Sequence, residues 1–174
     1  EYSNDIFKVI EFLHVKPGKG PAFVRTKLKS VTNGKVIDNT FSAGHKIDEV
    51  KVITRKFQYL YEDDNGFHFM NNDDFSQIYL NKEMIENSQF MKAGEEVTII
   101  LKEADETPLS AEIPPTVYLD VIEADPGVKG NTATNALKNA IVETGARVMV
   151  PLFIEPGDKI KINTEDGSYL ERVK

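Results

Sequence analysis

Short runs of alternating or β-branched apolar residues, each closed by a turn signal, govern what this chain can fold into. They occur at 6–13, 22–28, 50–60, 67–70, 97–102, 117–123, 147–154, 159–163 and 169–173, and runs of this period and length predict strands. Between them stand Pro17–Gly18, Asn33–Gly34, Asn65–Gly66, Ala93–Gly94, Pro126–Gly127, Pro156–Gly157 and Asp166–Gly167, dipeptides that favour turns. Asn33–Gly34 and Asp166–Gly167 each sit between strand-like runs and predict tight hairpins with primed turns. Only 81–91 reads as a helix, with Met84, Ile85, Gln89 and Phe90 as a rough apolar face. Residues 133–140 read as a loop, because Thr, Asn and a flanking Gly outweigh their helix-permissive composition. Without crossover helices a parallel sheet is excluded, and an all-β chain of barrels or sandwiches is expected.

Charge distribution and proline placement divide the chain. From 12 to 37 there are six Lys or Arg and no acid, whereas 51–115 holds six basic and thirteen acidic side chains. A rigid spacer, Ile113–Pro114–Pro115–Thr116, separates two strand-rich segments. Cuts near 50 and 115 give three modules, 1–50, 51–115 and 116–174, each small enough to need packing against its neighbour. The basic N-terminal patch on an otherwise acidic body (net charge −7) points to polyanion contact confined to one end. The same pattern also describes a merely solvated, lysine-rich hairpin.

No catalytic constellation stands out in the sequence. With no cysteine there is no disulfide, thiol nucleophile or cysteine-ligated metal. His14, His45 and His68 lie far apart, without ligand spacing, and no nucleophile elbow or phosphate loop occurs. Asp63–Asp64 and Asp73–Asp74 read as self-bonded turn residues. No cofactor and no metal are expected. No run approaches the roughly 20 apolar residues of a membrane span, so a soluble, cytoplasmic protein without membrane contact is the expectation. Some N-terminal residues are expected to be missing, since the chain opens at Glu1 and enters a strand-like run almost at once.

The loop 16–21 is the most unusual segment. Pro17 and Gly18 suit the two central positions of a type II turn. Gly20 adds backbone freedom, while Pro21 removes a donor and stiffens the exit. Lys19 would then stand at a hairpin tip with little bulk around it, or be simply a solvated turn lysine.

Residues 14–25 read His-Val-Lys-Pro-Gly-Lys-Gly-Pro-Ala-Phe-Val-Arg, and this stretch resembles the signature loop of the bacterial elongation factor P family. A second match runs from Glu123 (Glu-Ala-Asp-Pro-Gly-Val-Lys-Gly-Asn-Thr-Ala) through Glu143-Thr-Gly-Ala to Val148-Met-Val-Pro-Leu-Phe-Ile-Glu-Pro-Gly-Asp. Phe69–Met70 before Asp74-Phe-Ser-Gln is similar to the family's middle domain. The resemblance implies an SH3-like (KOW-type) N-terminal barrel followed by two OB-fold barrels. It implies a non-enzymatic, monomeric factor that binds the 70S ribosome between the P and E sites and promotes peptide-bond formation at consecutive prolines.

By position Lys19 matches the lysine that many members carry in extended form, by β-lysylation or aminopentanol attachment, which implies a lysine-modifying enzyme as a partner. A lysine at 19 excludes the arginine-rhamnosylating route. Lys16, Arg25, Lys27 and Lys29 would meet tRNA or rRNA phosphate beside the P-site tRNA. Gly130, Asn131 and Thr132 match the loop that approaches the E-site codon, with Asn131 where the family usually has Asp. Leu137–Lys138–Asn139–Ala140 also departs from the usual Lys-Pro-Ala, so a different backbone is expected there. Tyr169 and Arg172 are further candidate RNA contacts or, equally, ordinary strand residues. Two alternatives stand beside this reading: a paralogue with a narrower ribosomal role, and an OB-fold RNA-binding module off the ribosome.

Overall fold

The computed structural model describes residues 2–127 and 136–173. Thirteen strands form three antiparallel sheets. The first is a meander of β1 (Phe7–Val15), β2 (Phe23–Ser30) and β3 (Val36–Ser42). The second contains β4 (Val52–Asp63), β5 (Gly66–Asn71), β6 (Gln77–Leu80), β7 (Glu96–Lys102) and β8 (Pro108–Glu112). The third contains β9 (Thr116–Ala124), β10 (Leu137–Val142), β11 (Arg147–Pro151), β12 (Lys159–Asn163) and β13 (Tyr169–Val173).

The two five-stranded sheets share one topology. Their orders are β6-β5-β4-β7-β8 and β11-β10-β9-β12-β13, so the first strand of each is central. Each sheet curls until its edges touch, β6 against β8 and β11 against β13. Hydrogen bonding among the described residues therefore gives two half-barrels and one open meander, rather than three closed barrels.

Period-2 patterning fills the cores. Val97, Ile99 and Leu101 of β7, Val117, Leu119 and Val121 of β9, and Ile160 and Ile162 of β12 all point inward and are buried. The meander is different: Leu28 is its one buried hydrophobic side chain among the described residues.

The segment 81–91 is not a helix. It makes two separate 3₁₀ turns, Lys82–Met84 and Ser88–Phe90, with Ile85 extended and Asn87 left-handed at φ 58° between them. Its apolar residues serve two cores, which explains the break. Ile85 and Met91 pack into the second sheet, whereas Phe90 packs into the third. Of the residues 133–140 expected as loop, 137–140 belong to β10; there Lys138 occupies an inward position beside Ala140 and Val142 and disguises the pattern. The short strands β6 and β8 also lie outside the sequence expectation, whereas β3 is the second arm of the hairpin expected at Asn33–Gly34.

Four hairpins share one loop, and it is not the two-residue primed turn expected at Asn33–Gly34 and Asp166–Gly167. Loops 31–34, 72–75, 103–106 and 164–167 each span four residues, and the fourth is left-handed: Gly34 (φ 68°), Phe75 (60°), Glu106 (57°) and Gly167 (71°). The residue before it, Asn33, Asp74, Asp105 or Asp166, accepts from the backbone N–H two positions on at 2.9–3.1 Å. Asn33 and Asp166 thus act as side-chain acceptors at ordinary φ, and only the glycines go left-handed. Phe75 is 70% exposed in a conformation that disfavours any residue with a Cβ. Phe75→Gly is expected to stabilise the protein by about 1 kcal/mol, read as a raised urea midpoint. Glu106→Gly gains less, because it also releases the ion pair with Arg55.

Candidate nucleic-acid interface

The loop 16–22 joins β1 to β2, and the last pair of the ladder is Val15 with Phe23. Gly18 is not at positive φ; the left-handed residue is Gly20, at φ 111°. The expected type II turn at Pro17–Gly18 is therefore absent, and among the described residues no hydrogen bond closes the segment 16–21. A connection of seven residues has no need of a tight turn. Two prolines fix φ at 17 and 21 and remove two donors, so the bend concentrates at 18–20 with Lys19 in its middle. Lys19 is exposed, as are Lys16 and Gly18, and no atom lies within 4 Å of where a Cβ on Gly18 would stand.

Alternation along β2 sends Arg25, Lys27 and Lys29 to the face opposite buried Thr26, Leu28 and Ser30. Their environments diverge. Arg25 lies across from Leu13 and Thr40, with its guanidinium carbon 5.5 Å from the Phe23 ring centroid, a cation–π contact that leaves its donors to solvent. Lys27 lies across from Glu11 and Asp38, with Nζ 3.0 Å from Glu11 Oε2. The Glu11 hydrogen bond raises the Lys27 pKa. Lys29 pairs with Glu86 of the second sheet's connecting segment, and that hydrogen bond lowers the Glu86 carboxyl.

Among the described residues Lys16, Lys19 and Arg25 have no acidic partner. The five cations thus separate into three unpaired ones at the tip and two neutralised ones at the far end of β2. Sequence alone gave no sign of this, since Glu86 is remote from Lys29 along the chain.

The C-terminal candidates are less complete. Gly130, Asn131 and Thr132 lie outside the described residues. Among the described residues, Asn139 Nδ2 donates to Asp125 Oδ2 at 3.1 Å and the Asp125 N–H donates to the Asn139 carbonyl at 2.9 Å. The amide at 139 therefore ties two strands together. Tyr169 is half-buried against the third core, and Arg172 lies 5.3 Å over the Phe153 ring and 3.8 Å from Asp158.

Family models match all three segments of the chain. A family model described as "Elongation factor P (EF-P) KOW-like domain" matches residues 1–47. One described as "Elongation factor P (EF-P) OB domain" matches 52–110, and "Elongation factor P, C-terminal" matches 117–172. The chain belongs to the elongation factor P family. It is 61% identical to "Elongation factor P" of Christiangramia forsetii over 173 residues, covering 99% of this chain and 92% of the relative. It is 60% identical to that of Flavobacterium psychrophilum over its full length and 93% of the relative's. With the factor from Moorella thermoacetica the identity is 45%, over 99% of this chain and 92% of the relative.

Membership makes the chain a translation elongation factor, from a family whose members carry a factor's name and not an enzyme's. It also types two of the three sheets: the meander belongs to a KOW-like domain, and the second sheet is an OB domain. Among the described residues no helix is long and apolar enough to cross a membrane.

Proposed function

We propose that this elongation factor P family member binds the 70S ribosome between the P and E sites, as a cytoplasmic monomer, and positions peptidyl-tRNA so that consecutive prolines react. The observation that carries this reading is the exposed, unpaired Lys19 in the middle of a proline-bracketed bend. Proline is a poor attacking amine, and its ring restricts its approach. Holding the P-site tRNA lowers the entropic part of the barrier without supplying an acid or base. Lys19 would enter the peptidyl-transferase region beside the CCA end, extended by a lysine-modifying enzyme, and offer donors to phosphates and 2′-hydroxyls. Lys16 and Arg25 would meet tRNA or rRNA phosphate. Lys27 and Lys29 would do so only by exchanging Glu11 and Glu86.

In this reading the modules 1–50, 51–115 and 116–174 form a row. The third repeats the strand order of the OB domain before it, which favours a second OB fold, and it aims Gly130, Asn131 and Thr132 at the E-site codon.

The test is the yield of a Pro-Pro-Pro peptide in reconstituted translation, with and without the factor, beside a phenylalanine control template. Stimulation confined to the proline template is expected. Ribosome co-sedimentation without stimulation would reduce the role to that of a ribosome-bound paralogue, and absence of both would leave an RNA-binding module off the ribosome.

A further inference from the structure

The outer face of the second sheet carries three aromatic rings in a row. Tyr61 of β4 faces His68 of β5, and His68 faces Tyr79 of β6. Tyr61 and His68 stack at 4.5 Å between centroids with 16° between planes, and Tyr79 follows at 6.1 Å and 35°. The tyrosines are 50% and 59% exposed. Strand β7 pairs with β4 only from Val52 to Gln58, so Tyr61 lies beyond its neighbour's end. At the other side β6 is the sheet's edge.

One end of this row is acidic. Asp63 Oδ2 lies 2.9 Å from His68 Nε2, beside the stack. The Asn65 N–H donates to Asp63 Oδ1 at 2.8 Å. Glu62 and Asp64 flank it in the chain, and Glu62 is paired with Lys82.

We infer that the Tyr61–His68–Tyr79 face docks an arginine-bearing segment of a basic protein. A guanidinium is planar and weakly hydrated, and it stacks on aromatic faces. It would extend the row as a further plane against an open tyrosine while Asp63 and Asp64 supply the opposite charge. A nucleotide base could stack equally well, but its phosphates would meet these carboxylates in a segment holding thirteen acids and six bases. Charge complementarity therefore selects protein over RNA. This surface goes beyond the reading above and is independent of Lys19: either can fail while the other stands.

The test is a ¹H–¹⁵N NMR titration of the full chain with an arginine–glycine decapeptide, its lysine–glycine counterpart and a dodecauridylate. The arginine peptide is expected to shift Tyr61, His68 and Tyr79 saturably, and the lysine peptide to bind several-fold more weakly. Tyr61→Thr with Tyr79→Thr should weaken arginine-peptide binding about ten-fold, with an unchanged urea midpoint showing that the fold is kept. Asp63→Asn should weaken binding and flatten its salt dependence. The proposal is overturned if the rings do not respond to the arginine peptide, if both basic peptides bind equally with the tyrosines removed, or if the dodecauridylate shifts these three residues instead.

Discussion

Lys19→Ala is expected to abolish most of the stimulation of Pro-Pro-Pro synthesis while leaving the fold intact. The side chain is exposed and, among the described residues, makes no hydrogen bond or ion pair, so its removal should change unfolding free energy by less than about 0.5 kcal/mol. A loss of activity then reports directly on what the ammonium, extended or not, contacts on the ribosome. Lys16→Ala and Arg25→Ala would act differently. In their proposed role each would delete one phosphate contact, which would weaken ribosome binding at every template alike and lower the salt slope by about one. Lys27→Ala is predicted to be milder than either, because Glu11 must be displaced before Lys27 can bind phosphate. The measurements are peptide yield on proline and control templates, and ribosome affinity at several salt concentrations. Equal rescue by Lys19→Ala and the unsubstituted factor would show that bulk tRNA positioning suffices.

The sequence reveals most where one face is buried. In β7, in β9 as far as Val121 and in β12 every second residue is Val, Ile or Leu, so strand, register and inward face follow from the same letters. It misleads where tertiary contacts decide. Met84, Ile85, Gln89 and Phe90 read as a rough helical face, yet two cores compete for the apolar ones and the backbone breaks at Asn87. In β10 the inward Lys138 is satisfied by Glu155 at 3.1 Å, a partner supplied by a turn beyond β11. At the candidate interface the exposed loop was legible because proline and glycine act locally. The conformation within it was not, since a seven-residue connection has several ways to bend. The pairing of Lys27 and Lys29 was equally hidden, as it depends on which strand and which module lie alongside.

Phe90→Ala is predicted to cost about 3–5 kcal/mol and to uncouple the second sheet from the third. Phe90 precedes β7 in the chain yet is 3% exposed within the core of the third sheet. Its ring leaves no room at Gly167, where a Cβ would stand 3.0 Å from Cζ. Polar contacts surround this wedge. Lys92 Nζ meets Glu143 Oε1 at 2.8 Å, Thr144 Oγ1 donates to the Gln89 carbonyl at 2.7 Å, and Thr164 Oγ1 donates to the Pro114 carbonyl at 2.6 Å. Each of these is worth about 1 kcal/mol, less than the buried ring, so the ring dominates the joint. Urea unfolding should show one transition for the unsubstituted factor. For Phe90→Ala it should show two, with the third sheet melting first, because its core loses a buried aromatic while the second sheet's core keeps Ile85 and Met91. Gly167→Ala should reproduce the split from the opposite side of the contact, since it adds both a clash and a Cβ at φ 71°. A single cooperative transition of unchanged midpoint in Phe90→Ala would show that the polar contacts alone hold the joint. The functional consequence follows from geometry: if Lys19 works by position, its reach depends on what anchors the other end of the factor. Peptide yield on the proline template should therefore fall in Phe90→Ala even though every residue of the loop is untouched.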